Sequence, residues 1–305
     1  MLTHLYIKDG KLTETGEGDA PVQVYVAPDE AERKYLIEQL KIDEHTLNSA
    51  LDPDELSRLE FEPDHAAIIF KRPKRYTAED NFLFRVLSTG VFLFKDRLII
   101  VRADEAALFE GRPFIKMQSV QDVFLKLIYR AISHFVEHLR GINMISTELE
   151  QQINLAMENK YLLNLFTLEK SLVYYLSAIN SNGMLIEKLR NSAAKLGFGP
   201  ESVEFLDDIL VENNQCRGQT EIYSQVLSSL MDARASIISN NLNVRIKALT
   251  ILTIAIMLPT LIVSIFSMNV IIPLSHDDPL TFWIITGIAG LSIAAVGVLW
   301  RKFHW

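Results

Sequence analysis

The chain has 305 residues and a formal net charge of −8, with 49% apolar and 22% charged residues. Its positive mean hydropathy is too high for an ordinary soluble domain, so apolar and charged residues should be segregated along the chain. The acidic balance argues against a nucleic-acid-binding protein, which normally carries a basic stripe to neutralise phosphates. A single cysteine, Cys216, excludes an internal disulfide and a cysteine-based zinc cluster.

Residues 1–116 mix strand-like and helix-like patterns. The start, MLTHLYIKDG, has no basic stretch before an apolar core, so we expect no cleavable signal and a cytoplasmic location for this part. A helix is predicted from Asp29 to Leu40. Strand patterns occupy 65–73, 82–103 and all but the last residues of 22–28. Within 82–103, residues 91–94 and 98–101 are predicted to form a hairpin. The mixture predicts a compact α+β domain.

Residues 117–247 change to long helical stretches. The periodicity predicts helices over roughly 119–157, 160–196 and from Pro200 onward. The clearest break is NSAAKLGFGP, residues 191–200. The candidate breakers before the apolar C-terminal region, SNNLN (239–243), contain neither glycine nor proline, so we predict that the last helix continues into that region. From Glu201 to Phe266 such a helix would be about 100 Å long.

Two segments near the C-terminus have the length and composition of transmembrane helices. Residues 248–266 contain no ionisable side chain and, as a helix, span roughly 28 Å, about the thickness of a hydrocarbon core. Residues 280–300 are similarly apolar, with Trp283 and Trp300 near the two ends. We predict transmembrane helices over both segments, joined by a loop of residues 267–279 and followed by a short tail, 301–305.

The basic residues that flank these segments predict their orientation. Arg245 and Lys247 precede the first segment, and Arg301 and Lys302 follow the second, whereas the loop between them has no lysine or arginine. Lysine and arginine are enriched on the cytoplasmic side of membrane proteins, so we expect both termini to lie in the cytoplasm. The expected location is the plasma (inner) membrane. The loop, with Asp277 and Asp278, would then lie outside, where copies around an axis would attract cations.

The first apolar segment has the better pore-lining face. Thr253, Met257 and Thr260 are spaced by four and three residues and therefore share one side of a helix. Helical steps extend this stripe back to Leu249 and forward to Asn269. Since two helices cannot enclose a pore, transport through this segment requires an oligomer.

Several stretches together resemble the CorA family of divalent-cation channels. DPDELSRLEFEPDHAAIIF (52–70) and VFLFKDRLIIVR (91–102) resemble the family's cytoplasmic β signatures, and NVRIKALTILTIAIMLPTLIVSIFSMN (243–269) resembles its pore helix more specifically. The resemblance implies an α/β/α cytoplasmic domain, long stalk helices and a C-terminal transmembrane hairpin. It also implies a funnel-shaped homopentamer whose first transmembrane helices line the pore and whose second helices surround it.

The resemblance also implies roles for individual residues. Ser267, Met268 and Asn269 stand where the family has Gly-Met-Asn at the outer mouth, and Asn269 would receive hydrated Mg²⁺, which gives up its water reluctantly. The implied pore and gate residues are Leu249, Thr253, Met257, Thr260, Asp232 and Asn243, with constrictions at Met257 and Leu249. Serine in place of glycine would cost on the order of 1 kcal/mol if the turn needed positive φ.

Carboxylates in the cytoplasmic part are the implied sensors of Mg²⁺. Asp208 matches the helical partner of a regulatory metal site between neighbouring domains, and the opposing group is Glu79 or Asp80. Solvated acids with no metal role are the alternative interpretation of the same residues.

The resemblance therefore implies passive, gated transport of a divalent cation and no enzymatic activity or organic cofactor. Mg²⁺ is the first candidate for the transported ion, with Co²⁺, Ni²⁺ and Zn²⁺ as alternatives. The partners are further copies of the chain and the lipid bilayer. A non-conducting pentameric scaffold or sensor of the same fold is the alternative.

His134, Glu137 and His138 form H-x-x-E-H, an inverted metalloprotease pattern. The signal is weak, because a zinc protease also needs a downstream glutamate ligand and a cleft.

Overall fold

The computed structural model of the chain describes residues 1–15, 20–105, 108–109, 114–156, 159–268 and 279–303. Two compact units divide the chain, Met1–Met231 and Asp232–Trp305. The strands are β1 (Leu2–Lys8), β2 (Lys11–Thr15), β3 (Val22–Val26), β4 (Arg58–Phe61), β5 (Ala66–Pro73), β6 (Val86–Leu93) and β7 (Leu98–Arg102). The α-helices are α1 (Glu30–Glu38), α2 (Glu44–Ser49), α3 (Val120–Ala156), α4 (Asn159–Asn191), α5 (Pro200–Phe266) and α6 (Pro279–Phe303).

The seven strands form one sheet in the order β2-β1-β3-β7-β6-β5-β4. Every neighbouring pair is antiparallel except β3 and β7, which are parallel with Val24 opposite Ile100. The strand β7 is buried along its whole length. A strand covered on both faces has no solvent side to favour alternation, which explains the continuous apolar run Leu98–Val101.

Helices cover both faces of the sheet. On one face, Leu98 and Ile100 of β7 belong to a large core that includes Phe124 and Leu172 of α3 and α4. On the other face, Ile99 and its neighbours form a smaller core with α1 and α2. The first unit is therefore a three-layer α/β/α domain, as the resemblance implied, because successive strand side chains point to opposite faces.

The smaller layer depends on two local features. Asp29 begins α1 with a capping box: its carboxylate accepts a hydrogen bond from the Glu32 N–H at 2.8 Å, and the Glu32 carboxylate accepts one from the Asp29 N–H at 3.0 Å. At Gly90, an added Cβ would lie 2.3 Å from the Cβ of Ala50. The end of α2 can therefore approach β6 only because this position has no side chain.

Asn182 of α4 completes the edge of the sheet where β4 is too short. The pairing of β4 with β5 reaches Arg58 opposite Ile69, so β4 offers no partner to Lys71. The Asn182 side-chain amide accepts a hydrogen bond from the Lys71 N–H and donates one to the Lys71 carbonyl, both at 2.8 Å. Ser57, just before β4, donates to the same Asn182 oxygen at 2.8 Å. The buried amide thus replaces one residue of a strand and fixes α4 on the sheet.

The long helices agree with the predictions to within a few residues. The helix predicted over 119–157 is α3, and the predicted continuous helix is α5, which runs from Pro200 to Phe266 without a break. The helix predicted to end near Leu196 ends at Asn191, and turns follow up to Gly197, whose φ is +72°.

Four elements were not predicted from the sequence. They are β1, β2, α2 and the separate short strand β4. β1 and β2 lie at the edge of the sheet, where only a few positions are buried, so their apolar pattern is weak. The helix α2 has only six residues, too few for helical periodicity to be visible.

We predict that Asn182→Ala lowers the thermal unfolding midpoint of the full-length protein in detergent by at least about 5 °C. The substitution leaves the buried Lys71 N–H and carbonyl without partners, and each such group costs roughly 1–3 kcal/mol. Circular dichroism during heating measures the shift. The exposed Asn191, at the end of α4, supplies the matched control Asn191→Ala. Equal midpoints for the two variants would contradict this role of Asn182.

Candidate ion pathway

The apolar C-terminal third of α5 is largely uncovered by the described residues of the chain. α5 and α6 both contain an 18-residue window apolar enough to cross a membrane, by length and composition. In α5 none of that window is buried within the chain, and in α6 only 6% is. Soluble core helices of this hydropathy would be covered by protein. The large apolar surface therefore requires lipid, further chains, or both.

The side chains of the predicted pore face are exposed in a single chain. Leu249 and Met257 are 66% and 64% exposed, and Thr253 and Thr260 are also exposed. All four lie on the continuous helix α5, within the second compact unit. Helical spacing places them on one side, so a ring of chains could turn them toward a common axis.

The threonine hydroxyl groups in the apolar part of α5 form hydrogen bonds with the backbone of the same helix. Thr250, Thr253 and Thr260 donate hydrogen bonds to the carbonyls four residues earlier, at 2.9, 2.9 and 2.7 Å. A hydroxyl that bonds back to its helix can enter an apolar environment at little cost. Each oxygen keeps lone pairs that could accept a hydrogen bond from water.

Ser267 continues the last turn of α5 without backbone strain. Its N–H bonds to the Val263 carbonyl at 3.1 Å, and its hydroxyl donates to the Ser264 carbonyl at 2.9 Å. Ser267 is not among the described residues with positive φ. The cost expected for serine in a left-handed turn therefore does not arise, and the side chain instead caps a carbonyl at the helix end.

The remaining predicted pathway residues divide into two groups. Asp232 and Asn243 are exposed on α5 in the second compact unit. Asn269 and the loop acids Asp277 and Asp278 lie outside the described residues. Their positions at the mouth remain sequence-based predictions.

The three predicted regulatory acids differ in their surroundings. The Asp80 carboxylate accepts hydrogen bonds from Lys74 Nζ at 2.9 Å and from the Thr77 N–H and hydroxyl at 3.0 and 2.9 Å. The Lys74 hydrogen bond is the main reason that the pKa of Asp80 falls to about 2. Glu79 and Asp208 are instead exposed. Among the described residues no group of three or more His, Cys, Asp or Glu side chains could hold a metal within one chain.

The neighbouring acid Asp207 has a different role from Asp208. Its carboxylate pairs with Arg190 of α4 at 2.7 Å and so connects α5 to α4. Of the two adjacent aspartates, Asp208 is the exposed one that could reach a ligand outside the chain.

The H-x-x-E-H residues form a packed polar cluster on α3. The rings of His134 and His138 lie 4.3 Å apart between centroids, and His138 Nδ1 lies 2.6 Å from the hydroxyl of the buried Tyr175. Glu137 pairs with Arg130 at 2.8 Å. Burial lowers the pKa of His134 to about 4 and that of His138 to about 3. The two rings are therefore neutral packing groups on α3 at neutral pH.

A buried arginine cluster lies on the same side of the sheet and was missed by sequence reasoning. Arg72, Arg102 and Asp104 form a charged network at the ends of β5 and β7. Its signal in the sequence is an arginine near the end of each of two apolar strands, in FKRPKR and IIVRAD. Strand pairing is needed to show that these two arginines meet.

We predict that the first unit loses stability as pH falls from about 6.5 to 4.5, through His134 and His138. Their folded pKa values are below the unfolded value of about 6.5, so the unfolded chain binds protons first and stability decreases as pH falls. The expected loss is roughly 2 kcal/mol for one histidine. Unfolding midpoints measured across this pH range check it.

His138→Phe should flatten that pH dependence, because it removes one of the two groups that must be protonated on unfolding. His45→Phe is the matched control, since His45 is exposed on α2. An unchanged slope in His138→Phe would contradict the assignment.

Comparison with known proteins gives a consistent result along the whole chain. A family model described as CorA-like Mg²⁺ transporter protein matches residues 24–304. The curated cobalt/magnesium transport protein CorA of Methanocaldococcus jannaschii is 24% identical over 324 residues, and the alignment covers all of both proteins.

Solved structures share the fold over nearly the full length. The complete structure of the CorA magnesium transporter from M. jannaschii has a TM-score of 0.79 at 20% identity, covering 99% of this chain and 96% of that one. The full-length CmaX protein has a TM-score of 0.74 at 15% identity, covering 100% and 98%. At these identities the structural matches establish the fold.

Proposed function

Because the chain belongs to the CorA-like family of divalent-cation transporters, we propose that it conducts Mg²⁺ passively through a pore lined by α5. The observation that carries the proposal is the exposed face of Leu249, Thr253, Met257 and Thr260 on a helix that runs unbroken to the Ser-Met-Asn segment. A single chain cannot enclose this face. We infer a homopentamer in the plasma (inner) membrane, with both termini in the cytoplasm.

The outer mouth is assigned to Ser267, Met268 and Asn269. A ring of Asn269 amide oxygens would hydrogen-bond the water around Mg²⁺ without removing it, which suits an ion that dehydrates reluctantly. Asp277 and Asp278 would raise the local concentration of cations next to that ring. Met268 is 56% exposed within one chain. Its N–H donates a hydrogen bond to the Ile265 carbonyl at 3.4 Å and so extends the last helical turn toward the mouth.

Inside the mouth, polar and apolar rings would alternate along α5. Thr260 and Thr253 offer hydroxyl oxygens to hydrated ions, while Met257 and Leu249 form apolar constrictions that close by excluding water. Asn243 and Asp232 would follow toward the cytoplasmic end, where a carboxylate ring attracts the departing ion. A potential of 100 mV contributes about 4.6 kcal/mol for a divalent ion, so uptake needs no nucleotide.

Asn269→Ala is expected to lower Mg²⁺ flux into proteoliposomes at least about tenfold, because the mouth loses its ring of amide oxygens. Fluorescence of a Mg²⁺ indicator inside vesicles of fixed membrane potential measures the flux. Asn191→Ala is the matched control and should leave the flux unchanged, since Asn191 is exposed at the end of α4, in the unit Met1–Met231.

Absence of flux in the wild type, or equal flux in wild type and Asn269→Ala, would contradict the channel. That result would instead favour a non-conducting scaffold or sensor of the same fold. Running the assay with Co²⁺, Ni²⁺ and Zn²⁺ ranks the transported ions. Full flux of one of these with none of Mg²⁺ would overturn the magnesium assignment while keeping the pathway.

Regulation by cytoplasmic Mg²⁺ is assigned to Asp208 with Glu79 of a neighbouring copy. Both carboxylates are exposed, whereas Asp80 already accepts three hydrogen bonds and would have to release Lys74 to bind a metal. The absence of a three-ligand cluster within the described part of one chain agrees with a site shared between copies. A bound ion there would stabilise the closed state.

We expect Asp208→Ala to raise the internal Mg²⁺ concentration needed for half-maximal closure at least about threefold, because one carboxylate of the shared site is lost. The measurement is flux into proteoliposomes loaded with graded Mg²⁺. Asp207→Ala removes the same charge from the adjacent position, which pairs with Arg190, and should leave the concentration unchanged. Identical curves for Asp208→Ala and wild type would remove this sensor.

A further inference from the structure

A cavity of about 260 Å³ in the first unit is lined by four arginines. It lies between the α3 side of the sheet and α3 itself. The polar and charged residues that line it are Arg72, Arg75, Arg102, Arg130, His134 and Glu137. It lies within the unit Met1–Met231, whereas the residues assigned to the ion pathway belong to the unit Asp232–Trp305.

Strand pairing creates the buried half of this cluster. Arg102 is 2% exposed and Arg72 6% exposed, and both are near the ends of their strands. The Arg72 Nε donates to Thr89 at 2.8 Å, and Thr89 is opposite Arg102 in the sheet. Both guanidinium groups donate to the single carboxylate of Asp104. Two buried positive charges thus share one negative charge.

The two guanidinium groups keep hydrogen-bond donors that the described residues do not use. Arg72 donates once each from Nε, Nη1 and Nη2, and Arg102 donates once each from Nε and Nη2. A guanidinium has five N–H groups, so both retain unused donors, including Nη1 of Arg102. That nitrogen is not among the described atoms that are fully buried without a partner. Arg102 is also a lining residue, so its guanidinium forms part of the cavity wall.

Two further arginines stand at the rim. Arg75 is exposed and makes no hydrogen bond or ion pair with the described residues, and Arg130 is half-buried and pairs with Glu137 at 2.8 Å. Among the described residues, Asp104 and Glu137 are the carboxylates that pair with these four guanidinium charges. His134 adds no charge at neutral pH, because burial lowers its pKa to about 4. The described lining together with Asp104, which pairs with two of its arginines, therefore has two more positive than negative charges.

We propose that this cavity binds a phosphate group, either as inorganic phosphate or as a small phosphate monoester. A phosphate dianion matches the excess of two positive charges, and its oxygens match the divergent N–H groups of several arginines better than a single carboxylate would. The volume suits a phosphate with a small organic group. The proposal is independent of ion conduction, because the cavity and its residues belong to the first unit.

Isothermal titration calorimetry of the full-length protein in detergent tests the site. Inorganic phosphate is titrated with divalent cations chelated and the ionic strength held constant with chloride. Saturable one-site binding is expected for the wild type, and Arg75→Ala and Arg130→Ala should each weaken it about tenfold, since each removes a charged hydrogen-bond donor. Both substitutions are at the rim, where loss of the side chain leaves the core unchanged.

Arg33→Ala provides the matched control. Arg33 is half-buried on α1, which covers the opposite face of the sheet, and it bonds to Asn48 at 2.9 Å. Its variant should bind phosphate as the wild type does. Arg75→Lys, which keeps the charge but not the planar fork, should bind with intermediate strength.

A second titration with a sugar phosphate distinguishes the sources of the group. Tighter binding of the sugar phosphate assigns the site to phosphorylated metabolites, and tighter binding of inorganic phosphate assigns it to the free ion; both support the site. No saturable binding by the wild type overturns the proposal. Binding that is unchanged in Arg75→Ala and Arg130→Ala, with circular dichroism showing folded protein, overturns it as well.

Discussion

Hydrocarbon offers no hydrogen bonds to a polypeptide, and this constraint governs the C-terminal part of the chain. A segment that crosses it must satisfy every backbone group internally, so a continuous helix is the available solution. α5 follows this rule to Phe266, and its threonine hydroxyls bond back to their own helix. Pro259 interrupts the series of backbone hydrogen bonds in α5, because it has no N–H to donate to the carbonyl of Ala255.

The same constraint bears on the apolar helix surfaces that a single chain leaves uncovered. α5 and α6 leave almost all of their most apolar windows uncovered within the chain. Lipid can cover an aliphatic surface but gains nothing from the threonine oxygens on the face of Thr253 and Thr260. Association of several chains would remove that face from lipid and give it water, which is the arrangement a pathway for hydrated cations needs. The proposed pentamer would therefore both cover the exposed helix face and enclose a hydrated pathway for the cation.

The first unit combines two kinds of buried polar group. The Asn182 side chain makes two hydrogen bonds to the Lys71 backbone and so replaces one residue of the short strand β4. This kind of contact specifies how α4 lies on the sheet. The Arg72–Arg102–Asp104 network is different, because two guanidiniums share one carboxylate and retain unused donors. Contacts of the first kind stabilise the fold, whereas this network leaves unused donors and an uncompensated positive charge beside the cavity for which we propose a phosphate ligand.

The sequence by itself determined the features that local patterns encode. These features are an uncharged run of 19 residues, the absence of glycine and proline from the preceding segment 239–243, and the hairpin at Leu98. They indicated the apolar C-terminal segments, the continuous α5 and the strands β6 and β7, because periodicity and hydropathy act over short distances. Its Ser-Met-Asn segment and the stripe at Met257 supplied the candidate pathway. Tertiary structure alone decided that Asp80 is held by Lys74, that Ser267 avoids positive φ, and that Arg72 meets Arg102 beside a cavity. The meeting of Arg72 and Arg102 depends on the pairing of strands that are distant in the sequence. The Asp80 and Ser267 contacts are close in the sequence, but they depend on side-chain and backbone geometry that hydropathy and periodicity do not record.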